Sequence, residues 1–168
     1  MTGVQTCALP ICFPVTIQKS IELLRDIQKT HPESTHIIGQ TLINSAHIYS
    51  SQKKFDASER SLKEAISIFK NEKSTPFTSN ADTSFALTQL AILYLNTNRH
   101  QDAETYITES INIASAAIKD NSNTSKVMIA APLAIQGKLF AITGRYEAAE
   151  APLQRAINML ESIPDDLS

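Results

Sequence analysis

The sequence predicts an all-α protein built as an α-solenoid of antiparallel helix hairpins. Three segments share one pattern, a short polar turn followed by an amphipathic helix, and they cover residues 53–66, 98–111 and 144–157. The small residues Ser58, Ala103 and Ala149 open these helices and lie 45 and 46 residues apart (103 − 58 and 149 − 103). A helix-turn-helix unit at a fixed period indicates an array in which each hairpin packs on the next.

Composition limits the class of protein further. The chain has 168 residues, of which 42% are hydrophobic and 19% charged, enough to bury one core. Fifteen Lys and Arg against seventeen Asp and Glu give a net charge of −2, without a basic stripe for a phosphate backbone. No apolar run reaches the roughly 18 residues that a membrane span needs. We therefore expect neither nucleic acid nor a membrane as partner.

The first residues differ from the rest of the chain. They lack a cationic start, since the first basic residue is Lys19, and Pro10 interrupts their short apolar patch. Residues 2–11 resemble a translated sequencing adapter, which predicts that 1–13 is a non-native, disordered leader and that the true N-terminus is missing. Cys7 and Cys12 are the only cysteines, so whether they are native stays open. Residues 14–168 are expected to form a single helical repeat domain.

That domain begins with half a hairpin. Residues 14–31 carry Ile17, Ile21 and Leu24 at helical spacing, and Pro32 stops this helix and suits the start of the next. Three full units follow at about 33–72, 79–119 and 126–163. Segments rich in turn-forming residues, 71–82 and 120–125, are expected to separate them.

Packing positions repeat in both helices of each unit. Before each turn a large aliphatic residue, a small residue and an aromatic residue recur: Leu42, Ala46 and Tyr49; Leu87, Ala91 and Tyr94; Leu133, Gly137 and Phe140. After each turn small and large aliphatic residues alternate: Ser58, Leu62 and Ala65; Ala103, Ile107 and Ser110; Ala149, Leu153 and Ala156. This recurrence of size predicts close packing between stacked helices.

With these residues the chain resembles the tetratricopeptide repeats. The best match runs from Leu133 through the turn Gly144-Arg145-Tyr146 to Ala156, while the first unit departs at Ser45, at Ser58 and in its Lys-Lys-Phe turn. The long period and the proline within the last helix are similar to the kinesin-light-chain type of repeat. HEAT and armadillo repeats have comparable periods, so the period alone leaves them open. The resemblance implies a right-handed superhelix that serves as an interaction scaffold.

Pro152 is expected to bend the last helix, because it lacks an N–H and crowds the preceding turn. The alternative is that the helix begins at Pro152.

The resemblance also implies a binding face. In such arrays the first helix of each hairpin lines the concave surface, which here points to Asn44, His47, Gln89, Ile92 and Lys138 as contacts for a peptide. The same geometry places Ile43 and Thr88 on this face, beside Ala134 and Ile135. Asn44 and Gln89 hold equivalent positions, and their amides can both donate to and accept from a peptide backbone. Solvated amides without a ligand are the alternative reading.

The residues do not favour catalysis, a metal site or a cofactor. His31, His36, His47 and His100 lie in separate turns and helices, without metal-ligand spacing. We therefore expect a non-catalytic, cytoplasmic scaffold that binds a peptide or helix of a partner protein. The alternative is a fragment, a regulatory or sensory repeat segment of a larger enzyme or transcriptional regulator. Apolar residues near Ile157, Leu160 and Ile163 additionally suggest self-association through uncapped terminal helices.

Overall fold

The periodic apolar stripes of the sequence form α-helices throughout the part of the chain that can be described. The structure is a computed structural model, and it describes residues 9–31, 35–71, 76–117 and 123–163. Seven helices occur there: α1 (Leu9–Gln28), α2 (Thr35–Ser51), α3 (Phe55–Asn71), α4 (Pro76–Asn96), α5 (His100–Ala117), α6 (Asn123–Ile142) and α7 (Tyr146–Glu161). These same ranges contain no strand. The predicted all-α fold is confirmed.

The helices form an array of hairpins. Helices α2 and α3, α4 and α5, and α6 and α7 pair across short turns, and α1 packs against α2 as the half hairpin that the sequence predicts. The first helices of successive hairpins also contact one another, α2 with α4 and α4 with α6, whereas the backbones of α3, α5 and α7 stay apart. Contact between alternate helices on one side only places the first helices on the inner side of the array.

Two apolar clusters hold this array together. The larger one runs from α1 to α5 and reaches Leu139 on α6, with Phe69, Leu87 and Ile107 fully buried inside it. The smaller one joins α5, α6 and α7 through Ala114, Ile129, Ala130, Leu133 and Ala156. Each hairpin therefore uses its neighbours to bury its apolar face, as a repeat array requires.

Helix α4 is longer than the sequence indicates. The segment 71–82 is rich in turn-forming residues and is expected to be a loop, yet α4 begins at Pro76. Proline suits the first turn of a helix, because a backbone N–H at that position would have no acceptor within the helix. Farther along, the buried Ser84 hydroxyl lies 2.8 Å from the Ser110 hydroxyl of α5, so tertiary contacts outweigh the local turn preference.

The two ends of the array bear on two expectations from the sequence. Helix α1 begins at Leu9, so the disordered leader predicted for residues 1–13 overlaps a helix; residues 1–8, with Cys7, lie outside the described residues. Helix α7 runs without a break from Tyr146 past the buried Pro152, so the alternative of a start at Pro152 is wrong. A second buried proline, Pro132, lies inside α6. The bend at Pro152 stays a prediction.

Candidate functional site

One turn geometry positions every hairpin. Lys53, Asn98 and Gly144 occupy the same place between the paired helices and all have positive φ, at 59°, 58° and 75°. The next residue donates its backbone N–H to the carbonyl oxygen of the aromatic residue before the turn. The N···O distances are 2.9 Å from Lys54 to Tyr49, 2.8 Å from Arg99 to Tyr94 and 2.8 Å from Arg145 to Phe140. Left-handed backbone followed by this bond closes a helix end. The three turns thus repeat in atomic detail.

The arginine after each of the last two turns joins one hairpin to the hairpin before it. Arg99 lies 4.1 Å above the Tyr94 ring and pairs with Glu59 of α3 at 2.7 Å. Arg145 lies 4.3 Å above the Phe140 ring and donates two 2.9 Å hydrogen bonds to Glu104 of α5. Guanidinium groups suit this double role because they stack on aromatic faces and pair with carboxylates in a fork.

Glu59 is the most connected of these groups. Its carboxylate accepts from Lys63 at 2.7 Å, from the Tyr94 hydroxyl at 2.8 Å and from Arg99 at 2.7 Å. Partial burial favours the neutral acid, but the three donors outweigh it, so the pKa of Glu59 is lowered. Burial and the hydrogen bond to Glu59 raise the pKa of Tyr94 to about 12. At neutral pH the cluster is therefore an ionised carboxylate held by a neutral phenol and two cations.

A pocket lies beside this joint, on the side of the first helices. It has a volume of about 200 Å³ and is lined by Ala46, His47, Ser50 and Ser51 of α2, Ser58 and Leu62 of α3, and Gln89, Ile92, Leu93 and Asn96 of α4. Its floor is apolar and its rim is polar, and no Asp, Glu, Lys or Arg is among these residues. The pocket therefore suits an uncharged group.

Several polar groups at this rim are available to a ligand. The side chains of His47, Ser50, Gln89 and Asn96 make no hydrogen bond to other described residues. Two other hydroxyls of the lining are already used, because Ser51 bonds to the Ile48 carbonyl and Ser58 to the Ala46 carbonyl. The free groups can both donate and accept, which is the capability that an extended peptide backbone requires.

The structure brings together three of the five peptide contacts that the sequence suggests. His47, Gln89 and Ile92 line the pocket, whereas Asn44 on α2 and Lys138 on α6 are exposed outside it. His47, Ile92 and Lys138 nevertheless hold the same position on successive first helices, since 45 and 46 residues separate them (92 − 47 and 138 − 92).

The expected face is too wide in two places. Ile43 is fully buried in the core rather than on the binding face. Thr88 is also buried, because its hydroxyl donates to the Ser84 carbonyl at 2.9 Å and lies 2.9 Å from the Ser110 hydroxyl. Neither side chain is exposed on the binding face, so the expectation for them is wrong. Ala134 and Ile135 are only partly exposed and pack against the core clusters.

Sequence reasoning missed Ser50, Ser51 and Asn96 at the rim. Their positions carry a signal, because residues three, four and seven places along a helix from His47 or Gln89 share its face.

Most of the suggested packing residues lie in the interior. Buried ones are Leu42, Ala46, Leu62, Ala65, Leu87, Ala91, Tyr94, Ala103, Ile107, Leu133, Gly137, Ala149 and Ala156. Tyr49 and Phe140 are partly exposed, whereas Tyr94 at the equivalent position is buried. Leu153 on α7 is 37% exposed.

The described ranges contain neither a metal cluster nor a membrane-spanning helix. No group of three or more His, Cys, Asp and Glu residues lies close enough there to hold a metal ion. The helices in those ranges are too short or too polar to cross a bilayer.

Fold and site together define a helical repeat protein with a pocket between α2, α3 and α4. The sequence model of the tetratricopeptide repeat matches residues 39–72 and 86–116, which cover most of the first two full hairpins. These two hairpins therefore match the tetratricopeptide-repeat family in sequence. Repeats of this family generally mediate protein–protein interactions and are typically non-catalytic scaffolds.

Among solved structures, the chain is similar to BtubC (BKLC) from P. vanneervenii, a kinesin light chain-like tetratricopeptide-repeat protein. The TM-score is 0.73 at 17% identity, and the match covers 89% of this chain. This chain spans 56% of the length of the BtubC chain. None of the curated proteins matches it significantly in sequence. At this identity the likeness shows the fold alone.

Proposed function

We propose that this protein is a non-catalytic binding module that holds a segment of a partner protein in the groove between α2 and α4. The observation that carries the proposal is the pocket of about 200 Å³ at this joint, which His47, Gln89 and Ile92 line together. Sites for whole small molecules are usually about 300–1,000 Å³, so this volume suits one side chain of a bound polypeptide.

The chemistry of the pocket indicates the kind of segment. Its uncharged lining favours an apolar or neutral side chain, which would rest against Leu62, Ile92 and Leu93. Around it, the free amides of Gln89 and Asn96 would bond to the backbone of the segment. A terminal carboxylate is a poor fit, because the lining supplies no cation to pair with it.

Contacts beyond the pocket would follow the register of the array. Asn44 lies one helical turn before His47 on α2, and Lys138 takes the place of Ile92 on α6. A segment that runs across the first helices would reach both, so we include them as outer contacts. The alternative of a regulatory segment within a larger enzyme or regulator stays a prediction, and recovery of the full gene would distinguish it.

Selection of peptides against the intact chain tests the proposal. A phage-displayed library of random 12-residue peptides would be panned on the immobilised protein, and the enriched peptides measured by fluorescence anisotropy. Two hydrogen bonds of roughly 0.5–1.5 kcal/mol each predict that Gln89→Ala with Asn96→Ala weakens binding about ten-fold.

A matched control uses the same residue types outside the groove. Gln101 and Asn112 are exposed on α5, so Gln101→Ala with Asn112→Ala should leave the affinity unchanged. Equal affinities for both double variants would show that the peptides bind elsewhere, and failure to enrich any peptide would also count against the groove.

A further inference from the structure

Helix α7 differs from the other second helices in what covers it. Three positions recur in register on all four: Ile17, Ile21 and Leu24 on α1; Leu62, Ile66 and Phe69 on α3; Ile107, Ile111 and Ala114 on α5; Leu153, Ile157 and Leu160 on α7. On α1, α3 and α5 these side chains are buried or pack against the core clusters, and the first helix of the following hairpin packs on each of these helices. On α7 they are 37%, 47% and 50% exposed.

The charges on α7 continue the same register. Glu59 on α3 and Glu104 on α5 each receive an arginine from the turn of the next hairpin. Glu150 holds the equivalent place on α7 (104 − 59 is 45 and 150 − 104 is 46). It is exposed and has no ion-pair partner among the described residues. The acid that pairs with a turn arginine on α3 and on α5 therefore recurs on α7, where no following hairpin is present in the described chain.

A second acid lies near the end of α7. Arg25 on α1 pairs with Glu64 on α3, and Lys70 on α3 pairs with Glu109 on α5 at 2.6 Å. Glu161 takes the position of Arg25 and Lys70 on α7, so the residue opposite it would have to be a cation. At this position α1 and α3 carry a cation, whereas α7 carries an acid.

We propose that the exposed side of α7, formed by Glu150, Leu153, Ile157, Leu160 and Glu161, docks an additional helix hairpin of the same repeat type. That hairpin carries an arginine or lysine in its turn, opposite Glu150, and a cation on its second helix, opposite Glu161. Its first helix covers the three apolar residues, as α2, α4 and α6 cover their counterparts. This surface is separate from the groove between α2 and α4, so the inference does not rest on the proposed function.

A second copy of this chain fits the surface less well. Of the described hairpins, only α2–α3 lacks a full hairpin before it, and α1 covers its face with Ile21 only 4% exposed. A copy that displaced α1 would bring Lys54 to Glu150, but it would set Glu64 against Glu161. The charge pattern therefore favours a different hairpin.

The chain itself offers a suitable hairpin for the test. Fusing a second copy of residues 118–163 directly after Ile163 keeps the 46-residue period and brings the turn Arg145 of the added hairpin opposite Glu150. It also brings the added Arg155 opposite Glu161, so both charges are complementary. Hydrogen exchange along α7 would be compared between the natural chain and this extended chain. We expect amides near Ile157 to exchange about ten-fold more slowly in the extended chain.

Charge reversal tests whether Glu150 guides the docking. Glu150→Arg in the extended chain should reduce the protection about three-fold, and Arg145→Glu in the added hairpin should restore it. Glu147→Arg is the matched control, because Glu147 is an exposed acid in the first turn of the same helix. Unchanged exchange on extension, or equal effects of the two reversals, would overturn the proposal.

Light scattering of the natural chain over a concentration series distinguishes the remaining occupant. The proposal expects a monomer throughout. A dimer whose α7 amides become protected as it forms would overturn it in favour of a second copy.

Discussion

Two glycines, one in α2 and one in α6, allow a sharp test of how the hairpins pack. A Cβ added at Gly39 would lie 2.5 Å from two ring atoms of Phe69, and a Cβ added at Gly137 would lie 2.4 Å from the Cγ atom of Leu153. Both contacts are too short to persist, so the partner must move. Phe69 is fully buried, whereas Leu153 is 37% exposed. The two substitutions to Ala should therefore differ in their effect on stability.

The magnitudes follow from these surroundings. Ala in place of Gly inside a helix gains about 1 kcal/mol. At Gly39 this gain is set against overpacking of a buried ring, which costs roughly 1–3 kcal/mol, and the shortness of both contacts places the cost near the upper end. We expect a net loss of about 1–2 kcal/mol. At Gly137 the Leu153 side chain can swing outward and lose about 1 kcal/mol of burial, so the net change is close to zero.

Urea denaturation followed by far-UV circular dichroism measures the difference. Gly137→Ala serves as the matched control, since it makes the same chemical change in the first helix of another hairpin. Adding Phe69→Leu to Gly39→Ala should recover part of the loss, because it removes the ring that the new methyl group meets. Equal free energies of unfolding for the two Ala variants would refute the reasoning, since burial of the partner would then not decide the outcome.

Two further predictions concern the carboxylate cluster at the joint between α3 and α4. Glu59→Gln should lower the free energy of unfolding by about 1–2 kcal/mol at pH 7. Because the pKa of Glu59 is lowered on folding, this difference should be complete above pH 4.5 and should disappear as the pH falls through the folded pKa. Urea titrations at a series of pH values measure it. The natural chain should lose at most about 2 kcal/mol of stability as the pH rises from 10 to about 12, because the raised pKa of Tyr94 favours folding only while the phenol is neutral. Tyr94→Phe should abolish this loss. Tyr146→Phe is the control, because this residue is 73% exposed, and it should leave the alkaline loss of stability in place. A stability difference between Glu59→Gln and the natural chain that persists at low pH would contradict the first of these predictions.

The repeat architecture was predictable because it depends on residue size at a fixed period. Ala46, Ala91 and Gly137 recur where helices approach closely, and Tyr49, Tyr94 and Phe140 recur before each turn. Such a pattern belongs to the chain itself and does not need a knowledge of distant contacts. The start of α4 was missed for the opposite reason, since Ser84 and Thr88 farther along this helix form tertiary hydrogen bonds with Ser110 that local turn preferences do not contain.

The candidate site was only partly predictable. The order of the helices along the chain shows which helix comes first in each hairpin, and this order was enough to predict His47, Gln89 and Ile92. The rotation of each helix about its own axis decides which side chains face the groove, and it depends on contacts such as that between Thr88 and Ser110. For this reason Ile43 and Thr88 were assigned to the wrong side. The pairs Glu59–Arg99 and Glu104–Arg145, 40 and 41 residues apart, do leave a signal in the sequence, but it becomes visible only once the turns are aligned.

The arginine of each turn connects the stability of the array to the shape of its groove. Arg99 reaches from the turn of its own hairpin to Glu59 of α3, and Tyr94 of α4 reaches the same carboxylate. These bonds fix α4 against α3, next to Ser58 and Leu62, which form one wall of the pocket. Gln89 and Ile92 of α4 form the opposite wall, so the distance between the walls depends on this joint. A change at Glu59 should therefore alter binding in the groove without touching a ligand, whereas the equivalent pair of Arg145 and Glu104 holds the next joint and leaves this pocket alone.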